Sequence, residues 1–301
     1  MTRLKLIILA AATLCFASHA AIAQQQPIGT LEKIRSTGII TIGHRESSIP
    51  FSYYDKNEKV VGYAVDLCYL IADAVKANLG LAKLEVKLVP ITPALRIPSI
   101  LSEKIDLACD TMTNNLERQK VVAFSSTYFV AANLRTLDDL KGKTVVSTIA
   151  STNLKQISEL NEQRHLGLTI LAAKDNFEAF RMLETDRAAA VVMDDILLYG
   201  LVANSAAPGD YVVSDDALSV EPYGILLRRD DPAFKKVADD ALAAIYSNGD
   251  INKIYAKWFL DPIPPNGTSL NVPMSAALKR VIANPTDSGD PAMYAIRRTA
   301  Q

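Results

Sequence analysis

The side chains with the clearest chemical potential are two threonines and an arginine that could together hold a carboxylate. Thr111 and Thr113 follow the apolar run Ile105 to Cys109, which is typical of the end of a strand, and Arg118 comes a few residues later. A guanidinium offers paired donors in the plane of a carboxylate's two oxygens, and hydroxyl groups supply further donors. This combination predicts a binding site for a carboxylate.

Asn114 and Glu117 lie between these residues and form an Asn-x-x-Glu pattern, which predicts that a short helix starts at Asn114. The N–H groups at a helix N-terminus also favour an anion. The alternative is a capped helix on the surface that carries an exposed arginine.

Helix-like and strand-like patterns alternate from Thr30 onward, which predicts an α/β fold with mostly parallel sheets flanked by helices. The first predicted series is helix Leu31 to Ser36 ended by Gly38, strand Ile39 to Gly43, an extended segment Phe51 to Tyr54, helix Val65 to Leu79, strand Leu84 to Val89, a short helix broken around Pro93 and Pro98, and strand Ile105 to Cys109. The second series has strands Lys143 to Thr148, Leu168 to Ala172 and Ala188 to Met193, with helices Thr152 to Gln163, Asn176 to Glu184 and Asp194 to Ala203. The chain is then extended over Glu221 to Arg228 and has two closing helices, Pro232 to Tyr246 and Asp250 to Phe259.

Polar side chains follow several of these predicted strands at the point where each strand ends. They are Arg45, Thr111, Thr152, Asn176 and Asp194. In open parallel sheets the carboxyl ends of the strands form the edge at which ligands bind. We therefore expect these groups to converge on one crevice between two lobes.

The N-terminus has the pattern of a secretory signal peptide, which we place at residues 1–23. Arg3 and Lys5 precede an apolar run, and small residues precede Gln24. The run is too short for a membrane span, so we expect a soluble exported protein of about 278 residues. Its 30 basic and 33 acidic residues argue against a nucleic-acid or membrane-surface partner. Cys68 and Cys109 remain, and both a disulfide and two thiols are compatible with their spacing.

Residues for catalysis are scarce in the mature chain. Only His44 and His165 remain as histidines, and motifs for zinc proteases, α/β-hydrolases and phosphate-binding loops are absent from the sequence. We therefore expect no metal, no cofactor and no catalytic residue.

The sequence resembles the periplasmic glutamate/aspartate-binding proteins of ABC transporters, within the polar amino-acid solute-binding family. The segments that carry the resemblance are GHRESSIPFSYYD (Gly43 to Asp55), VKLVPIT (Val86 to Thr92), TNNLERQK (Thr113 to Lys120), DLKGK (Asp139 to Lys143), VMDD (Val192 to Asp195), YGILLRRDDPAFKK (Tyr223 to Lys236) and KWF-DPIPP (Lys257 to Pro265). The resemblance implies a two-lobed protein that closes over an acidic amino acid and delivers it to a membrane permease. It also implies a monomer with a discontinuous larger lobe (24–130 and 222–301) and a smaller lobe (131–221).

The resemblance further implies a role for each site residue. Thr111, Thr113 and Arg118 would hold the ligand's α-carboxylate, Thr152 would add a donor, Asp194 would pair with the α-ammonium, Arg45 and Arg96 would face the side-chain carboxylate, and Asn176 would complete the site. One buried carboxylate among several cations suits a zwitterion with an additional negative charge.

Simpler interpretations exist for some of these side chains. Arg45 could be a surface residue paired with Glu46, Arg96 could be solvated, and Phe51 could belong to the core or to a ligand wall. Asp194 and Asp195 could simply be two acids at a helix N-terminus.

Three departures from the family pattern affect specificity and closure. Pro93 replaces a serine, and Asn176 replaces a histidine with a neutral amide. The crossing between the lobes, Phe129 to Lys143, is several residues shorter than the family pattern. One alternative is therefore that this protein is a diverged member of the family with an altered ligand.

Two further functions fit the same scaffold. An arogenate or prephenate dehydratase could use Glu46 or Asp194 as a general acid. A receptor module would signal through a separate membrane protein.

Overall fold

The computed structural model describes residues 29–135, 138–214 and 216–294. The expected signal peptide, residues 1–23, lies outside this part of the chain. The strands are β1 (Ile39–His44), β2 (Ser47–Ser48), β3 (Ser52–Tyr54), β4 (Val60–Val61), β5 (Glu85–Pro90), β6 (Leu107–Cys109), β7 (Val122–Phe124), β8 (Phe129–Arg135), β9 (Thr144–Thr148), β10 (Thr169–Ala173), β11 (Ala190–Val192), β12 (Asp216–Tyr223) and β13 (Leu226–Arg228). The α-helices are α1 (Thr30–Thr37), α2 (Tyr63–Asn78), α3 (Arg96–Leu101), α4 (Leu116–Gln119), α5 (Thr152–Arg164), α6 (Asn176–Glu184), α7 (Asp195–Ala203), α8 (Pro232–Ser247), α9 (Asp250–Phe259) and α10 (Ala276–Ala283).

A five-stranded sheet with the order β5-β1-β6-β13-β7 forms the centre of one lobe, which we call the larger lobe. Strand β1 pairs in parallel with both β5 and β6, whereas β13 pairs antiparallel to β6 and β7. Helix α2 packs against α8 and α9 beside this sheet. The carboxyl ends of β1 and β6 therefore lie side by side, and the segments that follow them carry Arg45 and Thr111.

The smaller lobe contains a parallel sheet with the order β10-β9-β11. Helices α5, α6 and α7 begin just after β9, β10 and β11. This repeated strand-to-helix connection brings the starts of the three helices to one edge of the sheet. The predicted mostly parallel, two-lobed α/β architecture is confirmed.

Two antiparallel strands, β8 and β12, form a separate ribbon in which Phe129 pairs with Tyr223 and Ala131 with Glu221. Strand β8 is the first part of the predicted crossing, Phe129 to Lys143, and residues 136–137 of that crossing lie outside the described part. The lobe boundaries at residues 130–131 and 221–222 fall within this ribbon and stay predictions.

An aromatic cluster packs beside the ribbon and accounts for much of the core. Phe51 is fully buried and contacts the rings of Tyr63, Phe129, Tyr223 and Phe259. Edge-to-face and stacked aromatic pairs of this kind add stabilisation beyond the burial of apolar area. Phe51 is therefore a core residue, and it is not among the residues that line the cavity described below.

The start of helix α4 differs from the sequence-based prediction by one residue. Asn115, not Asn114, caps the helix, because its side chain accepts a hydrogen bond from the backbone N–H of Arg118. The Asn114 side chain instead donates to the backbone carbonyl of Asp287 at 2.7 Å. A contact distant in sequence thus decides which of two adjacent asparagines becomes the cap.

A disulfide joins Cys68 on α2 to Cys109 at the end of β6. Both cysteines are fully buried. The sequence left this pairing open, and the structure shows that the bond fixes a helix to the strand that leads into Thr111.

Candidate functional site

All eight residues that the sequence analysis assigned to a site line one cavity between the two lobes. The larger lobe contributes Arg45, Arg96, Thr111, Thr113 and Arg118, and the smaller lobe contributes Thr152, Asn176 and Asp194. The lining also includes Pro93, Thr148, Ser151, Asn153, Met193 and Leu197. The expected convergence on one crevice follows from the parallel strand ends that precede most of these residues.

Arg45 follows β1 and is only 3% exposed. Among the described residues its Nη2 atom has no hydrogen-bond partner, and no carboxylate lies within ion-pair distance of its guanidinium. Burial, together with the positive charge of Arg96, lowers the pKa of Arg45 to about 10. The surface pairing with Glu46 is therefore wrong, and Arg45 is a buried cation in the cavity lining with an unpaired donor.

Arg96 is 4% exposed, so it is not a solvated side chain. Its Nε donates to the carbonyl of Pro93 at 3.0 Å, and its Nη1 lies 3.5 Å from a carboxylate oxygen of the buried Asp110. Its Nη2 donates to the carbonyl of Ala150, across the cleft, at 3.3 Å. A guanidinium has five N–H donors, and these three contacts use three of them.

Arg118 projects from the short helix α4, whose cap at Asn115 fixes the backbone of Arg118. Its Nη1 donates to the carbonyl of Thr113 at 2.8 Å, and its Nη2 donates to the carbonyl of Ala150 at 3.1 Å. Desolvation of the guanidinium in the cleft and the nearby charge of Arg96 lower the pKa of Arg118 to about 10.

Asp194 sits at the N-terminus of α7 and is buried. Its carboxylate accepts hydrogen bonds from Asn153 Nδ2 at 3.0 Å and from the hydroxyl of Tyr223. Burial, with a smaller contribution from the charge of Glu221, raises the pKa of Asp194 to about 8. Asp195 has a different role, because its carboxylate accepts from the backbone N–H groups of Ala132 and Ile196.

Thr152 connects the two lobes through its hydroxyl group. The hydroxyl donates to Glu221 Oε2 at 2.9 Å, and the oxygen lies 3.3 Å from the hydroxyl of Thr113. Because the proton of Thr152 is used on Glu221, the Thr113 hydroxyl must be the donor in the second contact. The donor that Thr152 can offer to the cavity is then its backbone N–H, since the first N–H groups of a helix have no partner within the helix.

Asn176 also bridges the lobes. Its Oδ1 accepts from the hydroxyl of Thr148 at 3.2 Å, and its Nδ2 donates to the hydroxyl of Ser48 on β2 at 3.4 Å. The amide at this position therefore links α6 to the larger lobe and leaves no ionisable group there.

Four important groups were missed by the sequence analysis. Asp110 and Glu221 are buried acids, Tyr223 donates to Asp194, and the Ala150 carbonyl accepts from two arginines. The expectation of a single buried carboxylate was wrong, because three buried acids accompany the three arginines. The run Glu221-Pro222-Tyr223 lies where the chain was predicted to return to the larger lobe. This position between the lobes could have indicated that Glu221 and Tyr223 lie near the site.

The fold and the cavity define the class of two-lobed proteins with a cavity of charged and polar residues between the lobes. Residues 40–261 match the model of the bacterial extracellular solute-binding proteins, family 3. The chain belongs to this family. Among the described residues, no helix has both the length and the apolar character that crossing a bilayer requires.

Curated relatives match most of the chain. The sequence is 46% identical to an L-glutamate/L-aspartate-binding protein of Pseudomonas aeruginosa, over 86% of this chain and 89% of the relative. It is 43% and 42% identical to glutamate/aspartate import solute-binding proteins of Salmonella typhimurium and Escherichia coli, over 86% of this chain and 88% of each relative. The Salmonella and Escherichia relatives are named as import solute-binding proteins and the Pseudomonas relative as a binding protein, and none of the three is named as an enzyme.

Solved structures of amino-acid-binding proteins share the fold. An ancestral arginine-binding protein bound to arginine matches with a TM-score of 0.65 and 30% identity, over 74% of this chain and 98% of that chain. An ancestral amino acid-binding protein, a precursor of cyclohexadienyl dehydratase, matches with a TM-score of 0.64 and 26% identity, over 76% and 99%.

Proposed function

We propose that this protein captures glutamate or aspartate between its lobes and delivers the amino acid to the membrane permease of an ABC importer, without catalysis. The observation that carries the proposal is the buried guanidinium of Arg45. Arg45 is a residue of the cavity lining, its Nη2 has no hydrogen-bond partner, and no carboxylate of the described residues lies within ion-pair distance. A buried cation needs an anion. The side-chain carboxylate of an acidic amino acid would supply that anion.

The remaining assignments follow from the positions of the donors and acceptors. The α-carboxylate would bind the free N–H groups of Arg118, the hydroxyl of Thr111 and the backbone N–H of Thr152. The Thr113 hydroxyl would also bind it, by turning its proton from the Thr152 oxygen to the ligand. Asp194 would accept from the α-ammonium, and Arg96 would assist Arg45 with its two unused donors. Asn176 would contribute its amide.

The charges are consistent with this ligand. Arg96 lies within ion-pair distance of Asp110, and the charges of Glu221, Asp110 and Asp194 act on Arg118. Arg45 has no carboxylate within ion-pair distance among the described residues, although the charges of Asp110, Asp175 and Glu46 act on it. The side-chain carboxylate of an acidic amino acid would give Arg45 the direct ion-pair partner that the described residues do not supply.

Titration calorimetry of the mature protein, unfolded and refolded to remove bound ligand, tests the proposal. Aspartate, glutamate, asparagine, glutamine and prephenate are titrated separately. We expect binding of aspartate or glutamate and no turnover of prephenate. Stronger binding of the amides would overturn the acidic specificity, and turnover of prephenate would overturn the non-enzyme function.

Arg118→Ala tests the α-carboxylate assignment. We expect it to abolish binding of every amino acid, because all of them share that carboxylate. Arg35→Ala is the matched control, since Arg35 is an exposed arginine whose ion pair with Glu32 lies on α1. Normal binding by Arg118→Ala would exclude the assignment.

We further propose that the protein is exported to the periplasm, with cleavage after residue 23, and that it is a monomer whose closed form is recognised by the permease. N-terminal sequencing of protein recovered from the periplasm and light scattering of the purified protein test these two points. A retained leader or a stable dimer would contradict them.

A further inference from the structure

Ala150 has an unusual backbone conformation at the edge of the cleft. It lies in the turn between β9 and α5, and its φ of +58° is in the left-handed region that normally favours glycine. Its side chain is exposed. Packing of the methyl group therefore does not account for the conformation, which points to a role of the backbone.

The carbonyl of Ala150 is the shared acceptor of two site arginines. Arg118 Nη2 donates to it at 3.1 Å and Arg96 Nη2 at 3.3 Å. Both arginines belong to the larger lobe, whereas Ala150 belongs to the smaller one. A carbonyl oxygen has two lone pairs and can accept both bonds, and bonds from a charged donor are the stronger kind.

Neighbouring contacts hold this turn independently of the arginines. The N–H of Ile149 donates to the Ala173 carbonyl at 2.8 Å, and the Ser151 hydroxyl accepts from the N–H of Leu154 at 3.0 Å. The smaller lobe thus presents the Ala150 carbonyl on a fixed support.

We infer that Ala150 is a positioning residue whose carbonyl latches the smaller lobe onto Arg96 and Arg118 when the cleft closes. This inference rests on the proposed function. The two guanidiniums that the latch uses also line the ligand cavity, so a bound carboxylate that orders them also prepares them for the latch. Ligand binding and closure are thereby coupled through the same two side chains.

The test compares substitutions that change the backbone preference and keep the carbonyl. Ala150→Val disfavours a positive φ more strongly than alanine does, whereas Ala150→Gly allows it freely. We expect Ala150→Val to weaken binding of the preferred acidic amino acid about tenfold, mainly through faster dissociation, and Ala150→Gly to stay within about threefold of the unchanged protein. Ala150→Leu gives a milder version of the first variant if the valine variant folds poorly.

Asp186→Val is the matched control. Asp186 is an exposed residue of the smaller lobe with a φ of +56°, and it does not line the cavity. We expect it to lower the melting temperature and leave the affinity and the dissociation rate unchanged. Equal loss of affinity in Asp186→Val and Ala150→Val, or unchanged dissociation in Ala150→Val, would overturn the inference.

Small-angle scattering separates this inference from the proposed function. If the unchanged protein binds no acidic amino acid, the proposed function fails, but the latch still predicts that ligand-free Ala150→Val is more open than the unchanged protein. Identical scattering of the two proteins would exclude the latch.

Discussion

The Tyr223 hydroxyl donates a hydrogen bond to the carboxylate of Asp194, and this contact ties the acid of the smaller lobe to the end of the ribbon strand β12. Asn153 supplies a second donor to the same carboxylate. These bonds favour the ionised acid, but burial outweighs them and raises the pKa of Asp194 to about 8. Ligand binding is therefore expected to depend on pH.

Affinity for an acidic amino acid should fall as the pH drops below about 8, because only the ionised Asp194 accepts from the α-ammonium. At pH values well below 8, the affinity should fall by about tenfold for each pH unit, and binding should release one proton. Calorimetry at several pH values, in buffers of different ionisation enthalpy, measures both quantities. Constant affinity between pH 5.5 and 8.5 would contradict the role of Asp194.

Tyr223→Phe should move this pH dependence to higher pH, since the lost hydrogen bond stabilises the ionised carboxylate. Tyr246→Phe is the matched control, because Tyr246 is another buried tyrosine, and its hydroxyl donates to the carbonyl of Thr127 at 2.9 Å. The control should leave the pH profile unchanged.

The stability of the ligand-free protein should fall with rising pH because of the same group. The pKa of Asp194 is raised from an ordinary 3.8 to about 8 in the folded protein. The stabilisation from its bound proton is complete below about pH 4 and is lost as the pH rises towards 8, at up to about 1.4 kcal/mol per pH unit.

Asp194→Asn isolates this effect, because the two proteins share every other titrating group. The free energy of unfolding, measured with urea between pH 5 and 8, should fall more steeply with pH in the unchanged protein than in Asp194→Asn. Parallel profiles would show that Asp194 titrates near its ordinary value.

Much of the architecture could be predicted because the hydrophobic period changes clearly between strands and helices. Helix α6 was predicted with its observed bounds, Asn176–Glu184, and α9 likewise with Asp250–Phe259. The convergence of the site residues followed from one rule about the carboxyl ends of parallel strands. Local pattern and sheet geometry were sufficient for these features.

The remaining features depend on contacts between distant parts of the chain. Asn114 and Asn115 are equally good caps in isolation, and the bond from Asn114 to the Asp287 carbonyl decides between them. No hydrophobic pattern in the sequence marks Glu221 as buried, yet its carboxylate accepts hydrogen bonds from the side chains of Thr152 and Gln156. The positive φ of Ala150 has no local signal, because alanine rarely adopts it.

Arg45→Gln should change specificity rather than abolish binding. The lost charge removes the counterion for the ligand's side-chain carboxylate, so we expect glutamate and aspartate to bind at least about a hundredfold more weakly, whereas glutamine or asparagine loses much less. Calorimetry with all four amino acids measures the change. Arg35→Gln should bind like the unchanged protein, and an equal loss for acids and amides would refute the assignment.

The Cys68–Cys109 disulfide should stabilise the larger lobe. It closes a segment with a sequence separation of 41, and a loop of this length contributes about 3 to 4 kcal/mol through the restricted unfolded chain. The double variant Cys68→Ala/Cys109→Ala should therefore unfold at lower urea concentration. Dithiothreitol should destabilise the unchanged protein and leave the double variant unaffected, and equal stability of the two proteins without reductant would contradict the prediction.

Glu221→Gln should shift the pH dependence of binding in the opposite direction to Tyr223→Phe. The negative charge of Glu221 raises the pKa of Asp194, so its removal should let Asp194 ionise at lower pH, while the amide oxygen of glutamine can still accept from Thr152. Affinity should then decline only at a lower pH than in the unchanged protein. Glu159→Gln, on the exposed face of the same helix as Thr152, is the matched control. A midpoint that does not move, or that moves upward, would show that the charge of Glu221 does not act on Asp194.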